Sequence, residues 1–194
     1  MKLAETLYVK CLESKKKQLG INDLSTLNTM QCLASLYDDQ KNFSKAEELY
    51  ETCLMQRSEK LCDNDPSVLA CMNNLAIIYM DQKKYEKAEE LYRACLTKKL
   101  AILGKNNSDT HNSMNGLGIC LKKMRKHEES EKIFRDCLSI LVKNKFENNS
   151  NEDDDEMIVY TKENLDKLLK QVERLKELRE KGIEEKNEVE IESS

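Results

Sequence analysis

Apolar residues recur along this chain at steps of three and four, in blocks parted by short polar turns. In the middle of the chain Val68, Met72, Leu75, Ala76 and Tyr79 mark one amphipathic helix. Ala88, Leu91, Tyr92, Cys95, Leu96, Leu100 and Leu103 mark a second, with the polar run Met80 to Lys84 as the turn between them. The same pairing recurs before and after, and the pattern predicts helices over 2–19, 25–40, 43–61, 66–81, 85–103, 109–124 and 127–144. Further on, Ile158, Leu165, Leu168, Leu169, Val172, Leu175 and Leu178 predict a last helix over 157–181.

The blocks are copies of one another. AETLYVKCL from Ala4, AEELYETCL from Ala46, AEELYRACL from Ala88 and the worn SEKIFRDCL from Ser130 are spaced by 42 residues. A second block keeps the same step, with Leu33, Leu75 and Leu117 each followed by a small residue (Ala34, Ala76, Gly118) and then by Tyr37, Tyr79 or Leu121. A fixed period of this length is the mark of a solenoid, in which each unit buries its apolar face on the next. The reading is all-α: a half repeat over 2–19, repeats at about 25–61, 66–103 and 109–144, and a helix over 157–181 that caps the stack. Its ENLDKLL resembles the NNLAIIY of the middle unit, shifted by six residues. On this reading the α-helical array and its cap are separated by an acidic, Asn-rich loop over 143–156, and 182–194 forms a disordered tail. The chain begins with the second helix of a pair.

Start and stop signals fit this division. Asp65-Pro66 places a capping carboxylate before a proline suited to a first helical turn, and Asn22-Asp23 and Ser108-Asp109 offer caps one period to either side. Gly20 and Gly104 follow the last apolar residues of their helices, where a left-handed residue ends the helix.

Composition narrows the function. Lys and Arg total 32 against 36 Asp and Glu, interspersed, so no basic excess points to nucleic acid. The longest apolar runs are too short for a bilayer and the N-terminus lacks a signal-peptide core, so a cytoplasmic protein is expected. Eight cysteines form no C-x-x-C pair and two histidines offer little help, so they read as structural thiols: Cys11, Cys53, Cys95 and Cys137 as small buried hydrophobes on the packing face, Cys32, Cys71 and Cys120 inside the other helical block, and Cys62 in place of a turn glycine. His111 and His127 read as surface residues, and no nucleophile elbow or phosphate loop exists; a non-enzyme without metal or cofactor is expected.

The quoted blocks resemble the tetratricopeptide repeat, whose first helix carries a large residue, leucine, a small residue and tyrosine, and whose second carries alanine, an aromatic and a small residue. Those roles fall on Met72, Leu75, Ala76, Tyr79, Ala88, Tyr92 and Cys95, and on their equivalents in the flanking units. The longer 42-residue form is similar to the repeats of kinesin light chains and nephrocystin-like proteins. This resemblance implies a right-handed α-solenoid of helix pairs whose concave face binds a peptide or cargo segment, with kinesin heavy chain or a cargo adaptor as partner.

It also implies which positions line the concavity: Asn28 and Gln31, then Asn73, Ile77 and Met80, then Asn112, Asn115, Ile119, Lys122 and Lys123. The amides Gln31, Asn73 and Asn115 would grip an extended backbone, Ile77, Met80 and Ile119 would form an apolar pocket, and Lys122 and Lys123 would favour acidic residues. Asp38 and Asp39 stand where a chaperone-binding clamp needs basic residues, which disfavours that ligand. Two other readings stand beside this one. The chain is a helical repeat fragment of a larger regulatory protein, or Leu165, Leu168, Val172 and Leu175 serve oligomerisation.

Overall fold

A computed structural model describes residues 2–148 and 152–180 of the 194. Among them run eight helices and no strand: α1 (Lys2–Leu19), α2 (Leu24–Asp39), α3 (Phe43–Lys60), α4 (Pro66–Asp81), α5 (Tyr85–Ile102), α6 (Ser108–Lys123), α7 (His127–Asn148) and α8 (Glu152–Glu180). Every helix packs on its neighbours in sequence, and α4–α6 and α6–α8 also touch. This is the nearest-neighbour architecture of a solenoid.

The first helices begin on side-chain caps. Asp23 Oδ1 accepts from the Ser25 N–H and Asp65 Oδ1 from the Ser67 N–H, both at 2.8 Å, with Pro66 in the first turn of α4. In the third unit the cap is Asn107, which accepts from the Asp109 N–H at 2.8 Å, one residue earlier than the sequence suggests. Each first helix ends in the same turn. Lys41, Lys83 and Arg125, 42 apart, all take φ of 60°, and the following N–H reaches back to the carbonyl of Tyr37, Tyr79 or Leu121. Gly20 and Gly104 supply the left-handed residue after α1 and α5, with φ of 87° and 77°.

The core follows the repeat. Leu33, Ala34, Tyr37, Ala46, Tyr50 and Cys53 are buried, as are Leu75, Ala76, Tyr79, Ala88, Tyr92 and Cys95 one period on. The small residue after leucine makes room for the aromatic of the second helix. A Cβ on Gly118 would stand 2.6 Å from Phe134 Cε1, which is inside contact distance. The periodic cysteines gain a further role, since Cys53 Sγ donates to the Leu27 carbonyl at 3.5 Å and Cys95 Sγ to the Leu69 carbonyl at 3.4 Å.

Several expectations are corrected here. Cys11, expected on the buried packing face, is exposed, because nothing described covers the outer face of α1; Cys32 and Cys62 are exposed as well. His111 is buried, its ring tucked at the start of α6 with Nε2 2.8 Å from the Lys105 carbonyl. The 143–156 segment is largely helical: α7 runs on to Asn148 and α8 begins at Glu152, ahead of the expected start at 157. Acidic residues in a first turn face the positive end of the helix dipole, so the composition that reads as a loop also suits a helix start. The tail over 182–194 lies outside the described residues.

Helix α8 takes the place of a fourth first helix. Leu165, Leu168 and Leu175 are buried, and Leu165 and Leu168 cluster with Phe134, Leu138 and Val172. The leucine stripe considered for oligomerisation is therefore used inside the chain.

Candidate functional site

One face of α4 and α6, closed at one end by α8, borders a concave groove of about 1330 Å³. Asn73, Ile77 and Met80 of α4 and Asn112, Asn115, Ile119 and Lys123 of α6 line it, with Tyr92, Lys99, Met157 and Tyr160 from α5 and α8. Lys122, although next in sequence to Lys123, does not line it. Asn28 and Gln31 also stand apart from this groove, and both accept hydrogen bonds from the Arg57 guanidinium, at 2.7 and 3.1 Å.

The amides expected to grip a ligand are already engaged with the next unit. Gln31 Oε1 accepts from Cys71 Sγ at 3.8 Å, Asn73 Oδ1 accepts from Ser113 Oγ at 3.2 Å, and Asn115 Nδ2 donates to Thr161 Oγ1 at 2.9 Å. Cys71 and Ser113 are 42 apart, and Thr161 is their equivalent once the six-residue shift of α8 is applied. The three bonds thus recur at one pair of positions and tie each first helix to the next, the amide accepting in the first two and donating in the third. Asn115 is spent in this way: it is 2% exposed, also meets Met157 Sδ at 3.2 Å, and its Oδ1 has no partner among the described residues. Asn73 keeps its Nδ2 and Asn112 its whole amide without a protein partner among the described residues.

A column of cations, not singled out from the sequence, underlies these amides. Lys15, Arg57 and Lys99 are 42 apart on the second helices, and Leu141 ends the series. Lys15 Nζ donates to the Ser25 carbonyl at 3.3 Å and to Thr29 Oγ1 at 2.8 Å. Lys99 Nζ repeats this, with the Asp109 carbonyl at 3.0 Å and Ser113 Oγ at 2.9 Å. Arg57 swings instead to Asn28 and Gln31, since Cys71 stands where Thr29 and Ser113 offer hydroxyls. Arg57 is 3% and Lys99 5% exposed, and neither has a carboxylate within ion-pair distance among the described residues. Burying a charge without a counter-charge is costly, which sets these two apart from the exposed lysines around them.

Acidic groups gather at the other end of the strip. Burial raises the Asp38 carboxyl above its ordinary value, and the nearby Asp81 and Asp39 charges add to this against Lys41. Away from the groove, two ion pairs repeat with the period: Lys84 with Glu47 at 2.6 Å and Lys126 with Glu89 at 2.7 Å. Burial opposes ionisation of Glu47, yet hydrogen bonds from Lys84 and Gln82 hold its carboxyl below the usual value. Among the described residues no cluster of three His, Cys, Asp or Glu could hold a metal ion, and no helix is long and apolar enough to cross a membrane.

No curated protein matches the chain in sequence comparison. Among solved structures, a protein of Podosopora anserina assigned as a kinesin light chain, with nearly identical TPR-like repeats, superposes with a TM-score of 0.77 at 18% identity, over 92% of this chain and 82% of that one. A single-residue variant of the same protein gives 0.78 at 19% identity, with the same coverage. BtubC (BKLC) from P. vanneervenii gives 0.68 at 24% identity, over 92% of this chain and 72% of its own. These likenesses establish the helical solenoid fold. Family models described as tetratricopeptide repeat match residues 26–65 and 68–141, the span that carries the periodic core, the turns and the amide ladder, and the chain accordingly belongs to the tetratricopeptide repeat family.

Proposed function

We propose that this protein is a non-catalytic interaction scaffold that holds an extended segment of a partner protein in the groove between α4, α6 and α8. The observation that carries the reading is Lys99. Its ammonium is buried at the edge of an open groove, where among the described residues it donates to a backbone carbonyl and a hydroxyl and meets no carboxylate. A carboxylate on the ligand supplies the missing counter-charge, and Lys123 on the rim adds to the attraction. Asn73 Nδ2 and Asn112 offer amide groups for the ligand backbone, while Ile77, Met80 and Ile119 take an apolar side chain. The specific form suggested by the kinesin light chain neighbours is binding of a cargo adaptor, or of kinesin heavy chain, in the cytoplasm.

Fluorescence anisotropy with labelled extended peptides, some acidic and some neutral, tests this. Asn73→Ala with Asn112→Ala should weaken all binders by roughly tenfold, the scale of one lost hydrogen bond. Lys99→Met should weaken only acidic ones and flatten the salt dependence. A binder whose affinity ignores both variants, with circular dichroism unchanged, would place recognition outside the groove.

A further inference from the structure

Gly116 is a glycine that the repeat does not call for. The small residue of the third unit is Gly118, whereas Cys32, Asn74 and, with the six-residue shift of α8, Asn164 hold the register of Gly116. A glycine inside a helix costs stability, and here a Cβ has no room. It would stand 2.5 Å from Tyr92 Cε1, 2.7 Å from Cζ and 3.1 Å from the hydroxyl oxygen. The missing side chain lets the phenol end of Tyr92 lie directly against the backbone of α6.

Tyr92 is 3% exposed, yet it borders the groove together with Ile77, Gly116 and Ile119. Its hydroxyl has no hydrogen-bond partner among the described residues. In the preceding unit the Ser35 hydroxyl stands by the Tyr50 phenol, but Ile77 takes the place of Ser35, so Tyr92 does not have that hydroxyl beside it. A buried side chain whose polar tip is left unmet is costly unless something else satisfies it. Burial raises the Tyr92 phenol above its ordinary value and the Asp81 charge adds to this, so the group stays a neutral donor. A donor within reach of a carboxylate charge favours a neutral acceptor over a second anion.

We infer that Tyr92 is a specificity-determining residue of the groove, its hydroxyl donating to a main-chain carbonyl of the bound segment while its ring stays in the core. The assignment rests on the groove being a peptide site. An extended segment presents such a neutral acceptor at every residue, and the ring, wedged against Gly116, holds the donor in a fixed place. Tyr92 and Lys99 are seven residues apart on α5, so they share a face two turns apart, about 10 Å along the axis. About three residues of extended chain cover that distance. The two groups therefore set a register: a ligand carboxylate at Lys99, and a carbonyl about three residues away at Tyr92.

The probes are fluorescein-labelled nine-residue peptides of alternating Thr and Ala with one Glu, and with one Ile placed at each other position in turn. In the tightest binder each peptide bond is then replaced by an ester, which weakens the carbonyl of that bond as an acceptor. Affinities are measured on the full chain and on Tyr92→Phe, a change that removes one oxygen and leaves the ring. Tyr92→Phe should weaken the all-amide peptide by roughly fivefold. It should also abolish the ester penalty at one bond only, about three residues from the Glu, and moving the Glu should move that bond with it. A purely structural tyrosine would lower the melting temperature without choosing a bond, so a loss spread evenly over all esters would overturn the inference. Unchanged affinity in Tyr92→Phe, with binding still weakened by Lys99→Met and by Asn73→Ala with Asn112→Ala, would overturn it and leave the groove reading standing. Indifference to all three variants would sink the groove reading and this assignment together.

Discussion

Asn115 Nδ2 donates to Thr161 Oγ1 at 2.9 Å, and this bond joins the last full repeat to the helix that closes the array. It turns a residue expected to meet a ligand into one that holds α8. Asn115→Ala should therefore cost about 1 kcal/mol of stability and raise amide exchange along α8. Peptide affinity in the groove should change less than in Asn73→Ala with Asn112→Ala. Hydrogen exchange and a binding titration on one sample check both halves.

Buried thiols make stability fall at high pH. Burial, helped by the neighbouring Cys71, pushes Cys53 from its ordinary 9.0 to about 12, and burial pushes Cys120 and Cys137 to about 11. The folded state prefers the neutral thiol, so this stabilisation is complete below the unfolded value of 9.0 and is lost as pH climbs towards 12. Urea midpoints should be flat just below the unfolded value and fall above it. At neutral pH an alkylating reagent should label Cys11, Cys32 and Cys62 and spare the buried five, Cys53, Cys71, Cys95, Cys120 and Cys137.

Gly118→Ala tests the fit between first and second helices. The added Cβ falls 2.6 Å from Phe134 Cε1, and overpacking of this kind costs about 1–3 kcal/mol. Adding Phe134→Leu should recover part of the loss, and thermal denaturation of the single and double variants measures it. Independent, additive losses would show that the two residues do not compete for space.

Lys83 carries strain in its backbone. It sits at φ of 60°, where a Cβ is disfavoured and glycine is not. Lys83→Gly should raise stability by about 1 kcal/mol, less the entropy glycine adds to the unfolded chain. A lowered melting temperature would mean that the lysine side chain contributes more than its backbone costs.

The helical array is legible in the sequence because its cause is local and repeated: leucine, small residue and aromatic return every 42 positions, and each return buries the same contacts. The α7–α8 connection is harder to read, since acidic residues after an Asn-rich stretch suit a loop and a helix start alike. The groove is legible only in outline. Ile77, Met80, Ile119, Asn73 and Asn112 border it, but the engagement of Gln31 and Asn115 depends on how closely the next first helix approaches. Lys99 escapes sequence reading for a similar reason. A lysine near the end of an amphipathic helix reads as solvated, and only the placement of α6 over it removes the water. Its recurrence with Lys15 and Arg57 is the available signal.

The strict 42-residue register makes length an adjustable property of this molecule. Every interior joint accepts the same mating surface, so copies of the 42-residue unit can be added or removed among the middle repeats without a new kind of joint. Duplication can therefore lengthen the groove from within, like a fabric that is let out in the middle.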